Sequence, residues 1–305
     1  SEPVIFFNDI RRTDKQKGVF GELSMDLSET LELTVGARWY DIEVDFEGSA
    51  NSSFYNGFGA PDTQQFGSNL SAQYAPGNAN GYPDKAASDG VIGKATLAWN
   101  KSEDVMMYVT WSEGFRPGLL NRPVGSTSPD GSYSVKPEVK SDEVTNYEFG
   151  WKAVLQDGAL RFNGSVFMVD ISGLQSTIFD PSIVNLFFSD NAADAEILGA
   201  EGDFVYVTES GLMLSGAFSL LDTEITKSLV PTADVVVGSD LAFAPGFQGN
   251  LGARKEWGMS SGYTGHWQAQ FVHSSKSYSD IMAPNKATQA SYSYANVRAG
   301  ISDDS

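Results

Sequence analysis

Residues 147–153 read Tyr147-Glu148-Phe149-Gly150-Trp151-Lys152-Ala153, and residues 160–166 read Leu160-Arg161-Phe162-Asn163-Gly164-Ser165-Val166. A short turn at residues 156–158 separates the two stretches. Successive side chains of a β-strand point to opposite faces, so each stretch predicts a strand with one apolar and one polar face. The layout recurs around four more short turns, at residues 28–30, 101–103, 208–211 and 258–261. The chain is therefore predicted to be a series of antiparallel hairpins.

The connections between these hairpins are long, at residues 47–88, 114–140, 227–243 and 279–290. Short turns at one end and long loops at the other are typical of a transmembrane β-barrel. About twelve strands are predicted, near residues 2–12, 17–27, 30–46, 89–100, 104–113, 142–155, 159–179, 185–207, 211–225, 244–256, 262–278 and 291–301. Residues 191–195 interrupt the alternation and predict a β-bulge.

The fold predicted from the pattern is all-β, an antiparallel transmembrane barrel. Several predicted strands exceed the five or six residues that are typical of soluble sheets. Four tryptophans fall on the apolar faces, where an aromatic girdle is expected: Trp39, Trp99, Trp111 and Trp151. A secreted β-sandwich, whose core would take the apolar face, stays open as the alternative.

Composition excludes several classes of function. The 305 residues include 39 acidic and 20 basic side chains, and the formal charge of −19 argues against a nucleic-acid partner. The absence of cysteine removes disulfides, thiolate metal sites and cysteine nucleophiles. His266 and His273 are seven residues apart, so they are expected on opposite faces of one strand and not on a shared metal. No catalytic motif is present, and we predict no enzyme, metal or cofactor.

Several stretches, in order along nearly the whole chain, resemble TonB-dependent outer-membrane receptors. Residues 108–118, followed by Asn121, are similar to the family signature Y-x-S-x-G-F-R-P-x-x-x-N. Residues 146–163 resemble its NYELGLK and DGRLRLN hairpin, and residues 191–201 resemble its NAGDAEIxGxE strand. Residues 20–23 with residues 33–39 resemble its FGEL and LTxGxRY pair.

The resemblance implies a barrel of 22 strands that encloses a plug domain and is preceded by a TonB box. Residues 1–305 are then expected to be a partial barrel domain with about 12 of those strands, without plug or TonB box. The expected location is the outer membrane of a Gram-negative bacterium. The expected partners are outer-membrane lipid, TonB through the missing N-terminal region, and a small-molecule or metal-chelate substrate.

The resemblance also implies active import of a scarce, bulky solute, most often an iron–siderophore complex. Import of an oligosaccharide or cobalamin is the alternative within the family, and a passive porin is the alternative without TonB. Ligand contacts are expected in two long loops. Phe54, Tyr55 and Phe58 lie in the aromatic loop at residues 47–88, where rings can stack on a sugar or an aromatic chelate. Phe115, Arg116 and Asn121 open the second loop, where Arg116 can pair with an anionic ligand or with a carboxylate such as Glu113.

Overall fold

A computed structural model describes residues 6–52, 85–121, 128, 130–136, 138–180, 184–259 and 262–303. Its strands are, in chain order, β1 (Phe6–Ser28), β2 (Leu31–Ser52), β3 (Lys85–Ser102), β4 (Val105–Arg116), β5 (Leu119–Leu120), β6 (Glu138–Val139), β7 (Asp142–Leu155), β8 (Leu160–Asp180), β9 (Val184–Val207), β10 (Leu212–Ser228), β11 (Phe247–Gly258), β12 (Tyr263–Ser274), β13 (Ser277–Tyr278), β14 (Thr288–Gln289) and β15 (Tyr292–Asp303). A 3₁₀ turn occupies Ala283–Asn285. Among the described residues, no helix is long and apolar enough to cross a membrane.

In this part of the chain, eleven long strands form one antiparallel sheet in the order β1-β2-β3-β4-β7-β8-β9-β10-β11-β12-β15. Each long strand pairs with the long strand that follows it, while β5 pairs with β6 and β13 with β14. The strand ends that the five predicted short turns join therefore lie at one end of the sheet, the turn end, and the strand ends that the long connections join lie at the other, the loop end. The all-β antiparallel architecture is confirmed.

The sheet has one long strand fewer than the sequence predicts, because the first two predicted strands are one. Residues 13–17 are polar and suggest a break, but β1 runs through them without interruption. Lys15 Nζ lies 3.2 Å from the Glu43 carboxylate, and Lys17 Nζ lies 3.4 Å from that of Asp41. The lysines are thus matched by carboxylates of β2, so the strand continues although its sequence looks like a turn.

The two faces of the sheet differ as the alternation predicts. Exposed large hydrophobic side chains are concentrated on one, the apolar face: Val19, Leu23, Val35, Trp39, Val91, Leu97, Trp99, Val109, Tyr147, Phe149, Val166, Leu198, Leu220, Leu251 and Phe271. The other, the polar face, carries hydrogen bonds across strands. Ser24 bonds to Thr34 at 2.8 Å, and Thr96 bonds to Thr110 at 2.9 Å. A sheet that exposes one apolar face along its whole width suits a lipid boundary.

The predicted β-bulge at residues 191–195 is present. Leu174 pairs with Ala193 and Gln175 pairs with Asn191, so Ala192 is an extra residue of β9. The neighbouring strands are irregular at the same level, where the register shifts between Ile171 and Leu174 in β8 and between Ile225 and Lys227 in β10. Gly173 takes a φ of +67°, and its N–H donates to Asp194 Oδ1 at 2.8 Å. Bulges in β8, β9 and β10 therefore meet around residues 191–195, close to the loop end of the sheet.

The connections at the loop end pack into a small core of their own, the loop cap. Its buried members come from the ends of β8, β9 and β10 and from three connections: Tyr133, Val135, Ile178, Phe188, Ala192, Ala193, Ala195, Ile225, Val230, Val235, Leu241, Ile281 and Met282. Val235 forms a β-bridge with Met282, which joins the β10–β11 connection to the β12–β15 connection. Apolar burial of this kind orders long loops.

Candidate functional site

The six residues that the sequence singles out for ligand binding fall into two groups. Phe54, Tyr55 and Phe58 lie outside the described residues. Phe115 and Arg116 end β4 at the loop end of the sheet, and Asn121 follows β5. The surroundings of this second group form the candidate site.

Arg116 lies directly opposite Asp142 in the β4–β7 ladder. Its Nε donates to Asp142 Oδ2 at 2.9 Å, and its Nη2 donates both to that carboxylate and, at 3.0 Å, to the carbonyl oxygen of Gln175. The Asp142 side chain is almost fully buried, whereas the Arg116 side chain is 54% exposed, so this charge-assisted pair lies at the boundary between the interior and solvent. The partner is therefore Asp142, while the carboxylate of Glu113 accepts from the N–H of Gly93 at 2.9 Å.

Asn121 is buried, and its amide joins two distant segments. Its Nδ2 donates to the carbonyl oxygens of Lys136 at 2.9 Å and Ser189 at 2.7 Å, and its Oδ1 accepts from the N–H of Ser189 at 2.7 Å. The reciprocal pair with Ser189 imitates a step of a β-ladder. It attaches the β4–β7 connection to β9.

Two more amides hold the same connection. Gln175 Nε2 donates to the carbonyl oxygens of Pro117 and Lys140, both at 2.9 Å. Asn191 Nδ2 donates to the carbonyl oxygen of Lys140 at 2.9 Å, and Asn191 Oδ1 accepts from the N–H of Lys140 at 3.0 Å. Both ends of the connection are thereby tied to β8 and β9, far along the chain.

Phe115 packs against the sheet. Its ring stacks on that of Tyr40 with centroids 3.7 Å apart and planes 16° from parallel. Both rings belong to a second small core with Ile42, Val44 and Leu120. In this arrangement the phenyl ring contributes burial and rigidity at the base of the loop.

Asp190 is fully buried at the centre of the loop cap. Its carboxylate accepts hydrogen bonds from the hydroxyl of Tyr133 and from Lys136 Nζ, the latter at 3.3 Å. Burial, and then the hydrogen bond to Asp190, raise the pKa of the Tyr133 phenol. A buried carboxylate needs such partners, so residues 133–136 are held against β9. The sequence pattern did not single out Asp190, since its partners lie more than fifty residues away.

Two lysines meet at one aromatic ring in the β12–β15 connection. Lys286 Nζ lies 4.2 Å from the centroid of the Tyr278 ring, and Lys276 Nζ lies 5.5 Å from it. The interaction with the Tyr278 hydroxyl raises the pKa of Lys276. Within the described residues, neither ammonium group has a carboxylate oxygen within 4.0 Å. The pair places two ammonium groups beside one ring at the loop end, and attraction to Asp240 contributes to the raised pKa of Lys276.

The described residues contain no group of three or more His, Asp or Glu side chains that could hold a metal ion. His266 and His273 lie seven apart in β12, so the strand places them on opposite faces, as predicted. His273 Nδ1 bonds to the Ser293 hydroxyl at 2.7 Å. The described groups that can interact with a negatively charged solute include the half-exposed Arg116 guanidinium and the ammonium groups of Lys276 and Lys286.

Comparison with known proteins places these features in a family. The family model described as "TonB dependent receptor-like, beta-barrel" matches residues 3–304. No curated protein sequence matches the chain.

Solved structures share the fold at low sequence identity. The ferric yersiniabactin uptake receptor FyuA from Yersinia pestis is 14% identical, with a TM-score of 0.68 over 94% of this chain and 38% of that one. The ferric preacinetobactin receptor BauA from Acinetobacter baumannii is 18% identical, with a TM-score of 0.67 over 97% of this chain and 37% of that one. The copper transporter OprC is 13% identical, with a TM-score of 0.66 over 94% of this chain and 40% of that one. The chain thus spans about two fifths of the length of these structures.

Proposed function

We propose that this chain, which belongs to the TonB-dependent receptor β-barrel family, is part of a receptor that imports a scarce, bulky solute with energy supplied through TonB. Members of this family are outer-membrane transporters of Gram-negative bacteria, and the outer membrane is where this chain resides. The solute that we propose is a metal chelate, most specifically an iron–siderophore complex.

The observation that carries the proposal is the exposed apolar face of the sheet. Apolar side chains lie on it from Val19 in β1 to Phe271 in β12, far more than the apolar patch of a soluble monomer. In a bilayer this face borders lipid, and the polar face then lines the passage that a solute takes. The loop cap, in which three of the connections pack together, lies at the loop end and so at the entrance to that passage in this proposal.

Local charge supports an anionic chelate in spite of the chain's total of −19. The ammonium groups of Lys276 and Lys286 lie at the loop end, where a solute arrives first. Both FyuA and BauA are named as receptors for ferric chelates, whereas OprC is named as a copper transporter. The fold alone therefore does not choose the metal, and the local charge favours a negatively charged complex.

We propose separate tasks for the two loops singled out by the sequence. Phe54, Tyr55 and Phe58 contact the solute. Phe115, Arg116 and Asn121 form the ligand site at the base of the second loop. Half-exposed Arg116 contacts the solute, while stacking on Tyr40 and hydrogen bonds to Ser189 hold Phe115 and Asn121 in place around it. Such preorganisation reduces the entropy that solute binding must overcome.

Residues 1–305 are, in this proposal, one part of the receptor's barrel domain. β1 and β15 have only one neighbour each in the described sheet. An unpaired strand edge in lipid leaves backbone groups without hydrogen-bond partners. We propose that both edges pair with strands from the rest of the receptor, which also supplies the plug and the contact with TonB.

The test is growth of an iron-limited bacterial strain that lacks its own siderophore receptors and expresses the intact receptor. With a panel of ferric catecholates, hydroxamates and carboxylates, at least one chelate is expected to restore growth in the TonB-positive strain and not in its tonB-deleted twin. Growth without TonB would indicate a passive porin. No growth on any chelate, with TonB-dependent uptake of oligosaccharides or cobalamin, would refute the iron assignment.

The aromatic loop has its own test in the same receptor. Replacing Phe54 and Tyr55 together with alanine should weaken binding of the transported chelate by about 1–3 kcal/mol, the scale of lost aromatic packing. Heat-modifiable gel mobility is the folding control, because an exposed loop adds little to the strand ladder. Unchanged affinity in a folded receptor would place recognition outside this loop.

A further inference from the structure

A cleft of about 450 Å³ opens on the polar face where β10, β11, β12 and β15 approach the loop end. It is lined chiefly by Gln248, Asn250, Gln270, Ser274, Tyr292 and Tyr294. This volume is within the range of sites that bind small molecules. The β12–β15 connection, which carries Lys276 and Lys286, joins the two strands at the edge of the cleft.

Two tyrosines expose parallel rings beside the cleft. Tyr292 and Tyr294 are two residues apart in β15, so their side chains share a face, and their rings lie within 4° of parallel with centroids 6.5 Å apart. They are 43% and 50% exposed. Parallel, accessible rings offer a stacking surface to a planar or pyranose ring.

The amides beside these rings are open to a ligand. Gln248 Nε2 donates to the Ser274 hydroxyl at 3.3 Å. Within the described part of the chain, the half-buried amides of Asn250 and Gln270 make no side-chain hydrogen bond. Each amide supplies both donors and an acceptor, the combination that hydroxyl groups need.

The cleft is also uncharged. Its rows in the ladder are Gln248–Ser274–Tyr292 and Asn250–Val272–Tyr294, followed by Gly252–Gln270–Asn296. The first charged row is the next one towards the turn end, Arg254–Gln268–Arg298. These three rows of the wall carry no Lys, Arg, Asp or Glu side chain, although the chain has 59 of them (39 acidic and 20 basic). An uncharged wall gives a charged part of a solute no electrostatic advantage over an uncharged part.

We infer that this cleft binds an uncharged, hydroxyl-bearing ring of the imported solute, stacked on Tyr292 and Tyr294 and hydrogen-bonded by Asn250 and Gln270. Either a sugar ring or a phenolic ring of a chelate has this chemistry. The inference rests on the proposed import function, because it takes the polar face as the wall of the solute passage.

The test is binding of uncharged probes to the intact receptor in detergent micelles. The sugar arm uses maltohexaose, xylohexaose and chitohexaose, and the phenol arm uses 2,3-dihydroxybenzamide, each titrated by saturation-transfer NMR. At least one arm is expected to bind. Tyr292→Ala with Tyr294→Ala should weaken that binding about tenfold or more through the lost stacking surface.

The matched pair of variants is Gln270→Ala and Gln268→Ala. Both residues lie in β12 on the polar face, two positions apart, but only Gln270 lines the cleft. Gln270→Ala should weaken probe binding by about threefold to tenfold, whereas Gln268→Ala should leave it within about twofold. This pair keeps the test valid if the tyrosine variant does not fold.

The outcomes separate the inference from the proposed function. Absence of binding in both arms, or equal loss in Gln270→Ala and Gln268→Ala, overturns the cleft. If the cleft is overturned in this way but the receptor still supports TonB-dependent growth on a chelate, the proposed import function stands. Binding that depends on Gln270 in a receptor that shows no TonB-dependent uptake supports the cleft and refutes the import function.

Discussion

Arginine at Val35 tests whether the apolar face borders lipid. Val35 lies on that face in β2, four residues from Trp39 and four from Leu31, which pairs with Trp99. At about 3.3 Å per residue it is roughly 13 Å along the strand from each of these positions, and a strand tilt of about 40° reduces this to roughly 10 Å in depth. Val35 is therefore close to the midplane of an apolar band about 25 Å tall.

Val35→Arg should lower the free energy of unfolding of the intact receptor by about 2–4 kcal/mol. Val91→Arg should cost only about 0–1 kcal/mol, because Val91 pairs with Trp39 at the girdle. Thr34→Arg, next in sequence but on the polar face beside Glu32, should cost less than about 1 kcal/mol. The measurement is denaturant unfolding from phospholipid vesicles, followed by tryptophan fluorescence.

Two results would refute this reasoning. Equal costs for Val35→Arg and Thr34→Arg would mean that both faces have the same surroundings, as in a sheet without a lipid boundary. Equal costs for Val35→Arg and Val91→Arg would mean that depth has no influence. Leu33 and Leu97 pair with each other on the apolar face. Arginine at either position should lower the free energy of unfolding by an amount between that of Val91→Arg and that of Val35→Arg.

Three further predictions concern the ends of the sheet. The chain has no cysteine, so a single introduced cysteine reports on its own position. Val237→Cys in a long connection should react with an impermeant maleimide on whole cells, whereas Glu209→Cys in a short turn should react only after lysis. The reverse pattern would mean that the turn end, and not the loop end, faces the outside of the cell. Tyr133→Phe removes the hydrogen bond to buried Asp190 and should destabilise residues 133–136 locally by about 1–3 kcal/mol, which hydrogen exchange measures as faster exchange. Unchanged exchange would mean that this hydrogen bond does not hold residues 133–136 against β9. Hydrogen bonds from the Ser128 hydroxyl and from Ser132 lower the pKa of Asp130 from 3.8 to about 2, so its stabilisation of this turn is present above the ordinary pKa and is lost as the pH falls from about 4 to about 2. Asp130→Asn should abolish that pH dependence of exchange, and a dependence that persists would assign it to another group.

Strand alternation was sufficient to predict the sheet because it is a local property. The apolar and polar sets of β2 or β7 follow from neighbouring residues, and register places the sets of adjacent strands on one face. Continuity through residues 13–17 could not be predicted in this way. It depends on Glu43 and Asp41, which lie 24 to 28 residues away along the chain and meet Lys15 and Lys17 only in the folded sheet.

The sequence predicted the position of the site, but it did not predict the contacts within the site. The Gly-Phe-Arg-Pro corner marked Arg116, yet the partner of Arg116 is Asp142 and not Glu113. Asp142 was hidden by a connection of 25 residues between β4 and β7, although the strand register brings the two residues opposite each other. The loop cap and the hydrogen bonds from Tyr133 and Lys136 to Asp190 depend on contacts that the connections make, for which a single sequence carries no periodic signal.

Net charge illustrates how position changes the meaning of composition. The total of −19 argues against capture of an anion, but Coulomb interactions between exposed groups are largely screened beyond about 8–10 Å at physiological salt. On the polar face, carboxylates such as Glu148, Glu201 and Asp203 lie towards the middle and turn ends of their strands. At the loop end, Lys276 and Lys286 lie in one connection with Asp280, and Asp240 attracts the ammonium group of Lys276. The arrangement of these nearby groups, and not the chain's total charge, therefore sets the charge preference at the entrance.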